Sequence, residues 1–251
     1  MSPVLCVRDL SKAFGGVRAL RGVSFDLGAG ELLALIGPNG AGKSTCFNLV
    51  NGQLRPDAGS ISFRGQDLVG LPPRRIWRLG VGRTFQVAAT FTSMSVCENV
   101  QMALLSHHRR LRRLLGAARK HYKQEALALL EQVGMVEQAE RACGVLAYGD
   151  VKRVELALAL AHAPRLLLMD EPTAGMAGGE RRALMQLVAD IVRRQGISVL
   201  FTEHDMNIVF SHADRILVLD RGQKIAEGRP EEVRRNRRVQ ESYLGSYGAE
   251  P

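Results

Sequence analysis

The sequence predicts an α/β fold: a parallel sheet covered by helices, with an antiparallel β subdomain at the N-terminal end and an inserted α-helical subdomain. Three observations support this prediction. Short β-type stretches punctuated by Gly and Asp open the chain, apolar runs alternate with helical periodicity in the core, and the middle is helical throughout. Alternating strands and helices are typical of a parallel sheet with helices on its faces. The length of 251 residues suits a single domain with its own core.

The opening segment predicts antiparallel strands. Residues 4–7 and 17–27 have β-type composition around a turn at 14–16, and a third strand at 61–63 follows a turn at 57–59. Glycine and aspartate at such turns are typical of hairpins.

The core is predicted from its apolar runs. Residues 31–36 form a nearly continuous apolar run that ends in glycine, which indicates a strand buried on both faces. A helix is expected to follow at 43–50. Further buried strands are expected at 166–169, 198–201 and 216–219, with a helix at 182–194.

The middle of the chain, from about residue 95 to residue 163, has helical periodicity and no convincing strand. We interpret it as a helical subdomain inserted into the core. The single domain 1–251 is therefore divided into a core at 1–88 and 163–224, a helical subdomain at 89–162 and a C-terminal extension at 225–251.

Composition excludes several classes of protein. With 46% hydrophobic and 24% charged residues, the chain is expected to fold rather than remain disordered. No apolar run reaches the roughly 18 residues of a transmembrane helix, and the N-terminus lacks the basic and apolar regions of a signal peptide. The cysteines at 6, 46, 97 and 143 are too scattered for a disulfide framework or a zinc site. This favours free thiols in a reducing cytosol.

The chain carries 34 Lys and Arg residues against 25 Asp and Glu residues, a formal net charge of +9. Such a balance admits nucleic acid, an anionic membrane surface or phosphate ligands as partners. Seven of the nine excess charges lie in the basic segment 105–123, which contains no Asp or Glu. Its basic residues are Arg109, Arg110, Arg112, Arg113, Arg119, Lys120 and Lys123.

A glycine-rich segment connects the predicted strand at 31–36 to the predicted helix at 43–50. It fits the P-loop pattern G-x-x-x-x-G-K-[ST] in the strand-to-helix context that a P-loop requires. Its residues are Gly37, Pro38, Asn39, Gly40, Ala41, Gly42, Lys43 and Ser44, followed by Thr45. Glycines let backbone N–H groups surround phosphates, and the helix N-terminus adds positive partial charge. We expect Lys43 to reach the β- and γ-phosphates and Ser44 to bind Mg²⁺; a chance lysine in a glycine-rich turn is the weaker alternative.

The apolar run at 166–169 delivers Asp170 and Glu171 to the carboxyl end of its strand, where ligands of open α/β sheets bind. We expect Asp170 to hold Mg²⁺ through its water shell and Glu171 to accept a proton from the attacking water. Asp170 alone would be a common strand-end carboxylate, but beside a P-loop the functional interpretation is favoured.

The positions of two further residues relative to the predicted elements indicate functional roles. His204 follows the predicted strand at 198–201 and is expected to reach a γ-phosphate, although a lone histidine after a strand is more often structural. Gln86 lies where the core gives way to the helical subdomain. At that junction we expect it to sense Mg²⁺ or water and to report to the helices.

The order of these elements resembles that of the ATP-binding cassette (ABC) ATPases over essentially the whole chain. The resemblance implies a P-loop NTPase (RecA-like) core that binds ATP and Mg²⁺. It also implies that Phe14 stacks on adenine and that Gln86 is the Q-loop residue and a contact of Mg²⁺. Glu171 would be the catalytic base, with Lys43, Gln86 and the switch histidine His204 as further catalytic residues.

The signature of this family is expected at residues 146–150, which read Leu-Ala-Tyr-Gly-Asp just before a helix at 151–161. The common family pattern is Leu-Ser-Gly-Gly-Gln, so Ala147 lacks the hydroxyl that would bond a γ-phosphate. The segment 174–177 likewise lacks the terminal aspartate of the family's D-loop. Because the family signature completes the other subunit's ATP site, the resemblance implies nucleotide contacts in trans from Ala147, Tyr148, Gly149 and Asp150.

The resemblance implies a head-to-tail dimer with two nucleotides at its interface and two transmembrane permease subunits. It places the protein at the cytoplasmic face of the bacterial inner membrane, without nucleic acid. The altered signature favours a sister ATPase over a second copy as the dimer partner.

Several short motifs are similar to the ATPases of branched-chain amino acid importers. These are Arg-Thr-Phe-Gln at 83–86, Tyr-Gly-Asp at 148–150, Ala-Gly-Met at 174–176, and the tail from 225 to 245. Such an importer has a periplasmic solute-binding protein, which would be an indirect partner. Importers of urea or short-chain amides are close relatives and stay open as alternatives.

Two other classes of function fit the sequence less well than an importer. A soluble ABC ATPase acting on nucleic acid or ribosomes would suit the basic charge, but the chain has one cassette and no heptad array. A non-hydrolytic, nucleotide-gated scaffold is disfavoured because Glu171 and His204 are both present. In the importer, the basic segment 105–123 is expected to meet anionic lipid headgroups or acidic permease loops.

Overall fold

The computed structural model describes residues 3–84, 90–107 and 122–244. Its strands form two sheets. The first has four strands in the order β2-β1-β4-β5, and the second has six in the order β10-β9-β3-β8-β7-β6. The strands are β1 Leu5–Phe14, β2 Val17–Leu27, β3 Leu32–Ile36, β4 Ala58–Phe63, β5 Gln66–Asp67, β6 Val81–Thr84, β7 Leu166–Asp170, β8 Ser198–Thr202, β9 Arg215–Asp220 and β10 Gln223–Gly228.

The first sheet is the predicted antiparallel subdomain. β1 pairs with β2 and with β4, and every pairing in this sheet is antiparallel. The predicted turn at 57–59 is wrong, because residues 58 and 59 begin β4. Gly59 has φ 92, and a Cβ there would come within 2.5 Å of the Arg8 carbonyl oxygen. The glycine is therefore required by close approach of two strands rather than by a turn.

The second sheet is mainly parallel. β3 pairs in parallel with β8 and β9, and β7 pairs in parallel with β6 and β8, while β10 adds an antiparallel edge. All residues of β3 are buried, as the apolar run predicted. Strand β6 was not predicted, because the polar sequence Val-Gly-Arg-Thr lacks a β-type pattern. The carboxyl ends of β3, β6, β7 and β8 meet at one edge of this sheet, and that edge carries the site described below.

Helices cover both faces of the parallel sheet. The predicted helix at 43–50 matches α1, and the helix predicted at 182–194 begins earlier, at Gly178. The helices are α1 Lys43–Val50, α2 Pro73–Arg78, α3 Val96–His107, α4 Lys123–Gln132, α5 Tyr148–Leu160, α6 Gly178–Gln195, α7 Met206–His212, α8 Pro230–Arg235 and α9 Arg237–Val239, followed by a π-helical turn at Gln240–Leu244. Within the described part of 95–163 the ordered elements are helical, with one isolated bridge between Ser95 and Ala142, so the helical prediction is confirmed there.

Two apolar cores lie on opposite faces of the parallel sheet. One contains Leu33 and Leu35 of β3 together with α1 and the antiparallel sheet. The other contains Leu32, Ala34 and Ile36 with helices α3 to α6. Successive side chains of a strand point to opposite faces, so a strand with a core on each side must be apolar at every position. This explains the continuous apolar run that announced β3.

Candidate nucleotide site

The P-loop contains two glycines at positions where a Cβ atom would clash with a backbone carbonyl oxygen. At Gly37, with φ 148, a Cβ would lie 2.0 Å from the Leu219 carbonyl oxygen. At Gly42, with φ 105, it would lie 2.6 Å from the Ala19 carbonyl oxygen. Gly42 also precedes α1 without a side-chain cap. The first-turn N–H groups of α1 are thus left without a side-chain acceptor, as an anion site at a helix N-terminus requires.

Lys43 is folded into this loop. Its Nζ donates to the carbonyl oxygens of Gly37 at 2.6 Å and Pro38 at 3.1 Å, and its side chain is buried. Burial lowers the pKa of Lys43, while Glu171 and Asp170 oppose that shift by favouring the ammonium. A partly dehydrated ammonium beside two carbonyls gains strongly from a phosphate oxygen, which supplies the counter-charge that the loop lacks.

Asp170 is held at the carboxyl end of β7 by two neighbouring strands. Its Oδ1 accepts from Thr202 Oγ1 at 2.8 Å, and its Oδ2 lies 3.3 Å from Arg83 Nη2. Arg83 also donates to Asn48 and Gln53, which connects β6 to the end of α1. The sequence predicted no role for Thr202 and used Arg83 only as part of a subfamily motif. Thr202 directly follows the predicted strand at 198–201, and that strand-end position was the signal that could have identified it.

Glu171 and His204 form a direct contact. Glu171 Oε1 lies 2.7 Å from His204 Nε2, and both side chains are partly exposed. Glu171 has φ 48, in the left-handed region, and its backbone N–H donates to Thr202. Non-glycine residues in that region cluster at functional sites because the surrounding structure must hold them there. The structure therefore brings together two of the residues that the sequence predicted separately.

A buried carboxylate that was not predicted fixes the geometry of this contact. Glu203 Oε1 accepts from the backbone N–H of Thr173 at 2.8 Å and from its hydroxyl at 2.7 Å. The other oxygen, Oε2, accepts from the backbone N–H of His204 at 3.2 Å. Glu203 and Thr173 are both buried, where charge-assisted hydrogen bonds are strong. They connect the loop after β7 to the loop after β8 and so set His204 against Glu171.

Ser44 and Asp170 supply the oxygen donors that Mg²⁺ prefers. Ser44 lies in the first turn of α1, which contacts β7, and Asp170 ends β7. Among the described residues, no group of three or more His, Cys, Asp or Glu side chains is arranged to hold a metal alone. This suits Mg²⁺, which usually keeps waters and shares substrate phosphates with one or two carboxylates. The third predicted ligand, Gln86, lies outside the described residues.

Phe14 lies at the end of β1, next to the hairpin turn to β2. Its side chain is 46% exposed, and Val17 across the hairpin is 69% exposed. Lys12 Nζ lies 5.6 Å from the centre of the Phe14 ring. The second strand of the same hairpin continues to Ala19, where a Cβ on Gly42 of the P-loop would meet the Ala19 carbonyl oxygen. The hairpin that touches the P-loop thus carries an exposed aromatic side chain, as stacking on a base requires.

The signature residues open helix α5. The helix begins at Tyr148 rather than at residue 151, with Ala147 as its N-cap in an extended conformation of φ −64 and ψ 152. Tyr148, Gly149 and Asp150 therefore form the first turn instead of preceding the helix. The predicted boundary was wrong because Tyr and Gly are weak helix formers. Asp150 is acidic in the first turn, where the helix dipole favours negative charge.

The signature turn packs against the segment 174–177. A Cβ on Gly175 would lie 3.4 Å from the Tyr148 ring, and one on Gly149 would lie 3.5 Å from the Met176 methyl carbon. Ala147 is exposed, and Tyr148 is 48% exposed. The turn thus rests on one side against its own chain and presents the other side outward.

A groove separates the sheet edge from the helical region. It has a volume of about 510 Å³ and is lined mainly by apolar side chains, among them Trp77, Met102 and Phe91, with Arg83 and Thr84 near the catalytic strand ends. Trp77 stacks on His162 at 4.8 Å between ring centroids. Burial, with a smaller contribution from His107, lowers the pKa of His162 to about 4, so the His162 ring is neutral at neutral pH.

Two family models match the chain. One, described as ABC transporter, matches residues 20–174, and the other, described as branched-chain amino acid ATP-binding cassette transporter, matches residues 223–249. The high-affinity branched-chain amino acid transport ATP-binding protein LivG of Salmonella typhimurium is 40% identical over 97% of this chain and 98% of its own length. The corresponding protein BraF of Pseudomonas aeruginosa is 39% identical with the same coverage.

Solved structures show the same architecture. A nucleotide-free ATP-binding cassette from an ABC transporter aligns with a TM-score of 0.85 and 31% identity, covering 97% of this chain and all of the cassette. A cassette of an ABC transporter in its ADP conformation aligns with a TM-score of 0.87 and 31% identity, covering 98% of this chain. No helix among the described residues is both long and apolar enough to cross a bilayer.

Proposed function

Because the chain belongs to the ABC transporter family, we propose that it is the ATP-hydrolysing subunit of an importer for branched-chain amino acids. Hydrolysis rests on one observation above all, the 2.7 Å contact between Glu171 and His204 beside a complete P-loop. The substrate class rests on the match of the tail to a branched-chain transporter family and on the relatives LivG and BraF.

The proposed reaction begins with nucleotide binding. Phe14 stacks on the adenine, and backbone N–H groups of the P-loop surround the phosphates. Lys43 exchanges its two carbonyl partners for β- and γ-phosphate oxygens. The P-loop residues assigned to ATP are Gly37, Pro38, Asn39, Gly40, Ala41, Gly42, Lys43, Ser44 and Thr45.

Mg²⁺ would be held by Ser44, Asp170 and Gln86 together with the phosphates. When bound, it screens the charge of the phosphoryl group during transfer. Thr202 and Arg83 would fix the orientation of the Asp170 carboxylate, since each contacts one of its two oxygens.

Glu171 is the proposed base for the attacking water. His204 holds the Glu171 carboxylate through Nε2, and Glu203 holds the backbone of His204. A base must lie within hydrogen-bond reach of the proton it takes, and this chain of contacts fixes the carboxylate before substrate arrives. As the water oxygen bonds to the γ-phosphorus, the bond between the γ-phosphorus and the β,γ-bridging oxygen breaks. The water gives a proton to the Glu171 carboxylate, and ADP leaves together with inorganic phosphate.

The second half of the site comes from a partner. We propose a head-to-tail dimer in which Ala147, Tyr148, Gly149 and Asp150 contact the nucleotide of the partner subunit, with a sister ATPase favoured as that partner. Two permease subunits at the cytoplasmic face of the inner membrane, and indirectly a periplasmic solute-binding protein, complete the importer. The groove beside Trp77 is lined by Thr84 and Phe91, which lie before and after Gln86 in the sequence, and this supports its use as the permease contact.

The basic segment 105–123 is proposed to meet anionic lipid headgroups or acidic permease loops. Residues 108–121 lie outside the described part of the chain. Lys123, at its end, is engaged with Glu140 at 2.8 Å.

Uptake by cells of the source organism tests the proposal. Cells that lack this gene should take up little labelled leucine, isoleucine or valine, and the wild-type chain should restore uptake. Glu171→Gln should fail to restore it, whereas Glu131→Gln, which alters an exposed carboxylate on α4, should succeed. If deletion leaves leucine uptake intact but abolishes uptake of urea or acetamide, the importer serves those solutes instead.

A further inference from the structure

A buried ion pair lies one turn into α5, directly behind the signature turn. Lys152 Nζ is 3.0 Å from Glu155 Oε2, and the two side chains are only 6% and 5% exposed. Both residues thus carry their charges out of water inside the helical region. We refer to Lys152 and Glu155 as the α5 ion pair.

Stability alone gives little reason for such a pair. Removing two charges from water is unfavourable, and apolar residues of similar size often stabilise a core as well or better. The pair between Asp190 and Arg193 of α6 has the same three-residue spacing but is largely exposed, at 39% and 71%, with a distance of 3.6 Å. Exposed pairs of that kind contribute little. The role of the α5 ion pair must therefore be inferred from the residues that surround Lys152 and Glu155.

The lysine end reaches the signature. Lys152 Nζ lies 5.4 Å from the centre of the Tyr148 ring, within range of a cation–π interaction. Tyr148 is the first residue of α5, and its ring lies against Gly175. The ammonium thus fixes the one large side chain of the signature turn.

The pair also lies beside the strand ends. Lys152 and Glu155 border a cavity of about 10 Å³ together with Thr84, Met169 and Pro172. A cavity of that size holds at most about one water, whereas Glu155 also lines the larger groove beside Trp77. Thr84 ends β6, and Met169 and Pro172 flank Asp170 and Glu171 in the chain.

We propose that the α5 ion pair is a positioning element that fixes the signature turn relative to the strand ends carrying Asp170 and Glu171. It determines how the first turn of α5 meets the nucleotide held by the partner subunit, without touching nucleotide itself. The proposal rests on the dimer of the proposed function, in which the signature acts in trans. Loss of the pair should therefore spare the chain's own nucleotide site and impair assembly with the partner.

The test replaces the pair by apolar residues of similar size, Lys152→Met with Glu155→Leu, in full-length protein. The matched control is the same replacement at the exposed pair, Arg193→Met with Asp190→Leu. Thermal unfolding establishes that each variant folds. If the buried double variant does not fold, Glu155→Gln takes its place, because it keeps the side-chain shape and removes the charge.

Hydrogen exchange at residues 151–154 is the first measurement, because these N–H groups close the first turn of α5 by bonding the carbonyls four residues earlier, as Val151 bonds Ala147. Freed from its anchor, this turn should open more often, so these N–H groups should exchange about tenfold faster than in the control. Equal exchange in the two variants would overturn the proposal. This measurement needs no partner subunit.

ATP-dependent dimerisation in the Glu171→Gln background is the second measurement, by light scattering after size-exclusion chromatography. The dimer should require about tenfold more ATP in the buried variant than in the control, while affinity for MgADP stays within about twofold, as expected of a coupling between separate sites. Dimerisation at the control's ATP concentration would make the pair merely structural. If Glu171→Gln itself forms no dimer with ATP, the partner is a sister ATPase rather than a second copy, and hydrogen exchange alone decides the role of the pair.

Discussion

The two halves of the proposed ATP site are built differently. The P-loop half consists of side chains held in place before any ligand binds, with Glu171 against His204 and Asp170 between Thr202 and Arg83. The signature half has an exposed Ala147 without a hydroxyl and presents a helix N-terminus. Catalytic side chains must be fixed to within fractions of an ångström, whereas backbone N–H groups of a helix are fixed by the helix itself. In the proposed site, the P-loop half therefore carries the catalytic side chains, and the signature half supplies shape and backbone donors.

Removing the base should produce the largest effect. Glu171→Gln keeps the size and the contact to His204 but cannot accept a proton, so ATP turnover should fall by about 10²–10⁴-fold. ATP binding should persist, because the P-loop is untouched. Phosphate release and ATP titration followed by thermal unfolding measure the two properties. Turnover near the wild-type rate would show that Glu171 is not the base. The P-loop half would then not differ from the signature half in carrying the catalytic carboxylate.

Removing the P-loop charge should act on binding. Lys43→Ala deletes a charge-assisted contact worth about 1.5–3 kcal/mol, so ATP affinity should fall by about 10–100-fold. The ATP-dependent rise in melting temperature should disappear at concentrations that saturate the wild type. Lys123→Ala, at a half-exposed lysine paired with Glu140, should keep that rise. An unchanged rise in Lys43→Ala would show that backbone donors dominate this half as well.

Disturbing the support behind the base should have a smaller effect. Thr173→Val removes the hydroxyl that donates to Glu203 at 2.7 Å in a fully buried position. Glu203 Oε1 then loses one of its hydrogen-bond donors inside the core, which should lower the free energy of unfolding by about 1–3 kcal/mol. Turnover should fall with little change in ATP affinity, since Glu203, which accepts from the His204 backbone N–H, is held less firmly. Reduced stability with normal turnover would mean that this hydrogen bond serves the fold alone.

The sequence predicted only part of the P-loop half. β3, α1 and the P-loop were predictable because a strand with a core on each face must be apolar and a phosphate loop must contain glycine. The family prediction is confirmed by the comparisons. Strand β6 was not predictable, because its short polar sequence forms a strand through pairing with β7 and packing against α5, which are distant in sequence. Glu203 and Arg83 were missed for a related reason, since their roles depend on loops and strands that are distant in sequence.

Adding a hydroxyl at position 147 of the signature should have the smallest effect, and it tests directly whether the signature half needs that hydroxyl. Ala147 already has the extended backbone of an N-cap, so Ala147→Ser should accept a hydrogen bond from the Asp150 N–H and raise stability by about 1 kcal/mol. Arg229→Ser is the matched control, because Arg229 is the exposed, extended N-cap of α8. If the absent hydroxyl limits the signature half, Ala147→Ser should also increase turnover, and Arg229→Ser should not. A gain in stability without a gain in turnover would show that the backbone donors of α5 suffice, and that this chain has no use for the hydroxyl it lacks.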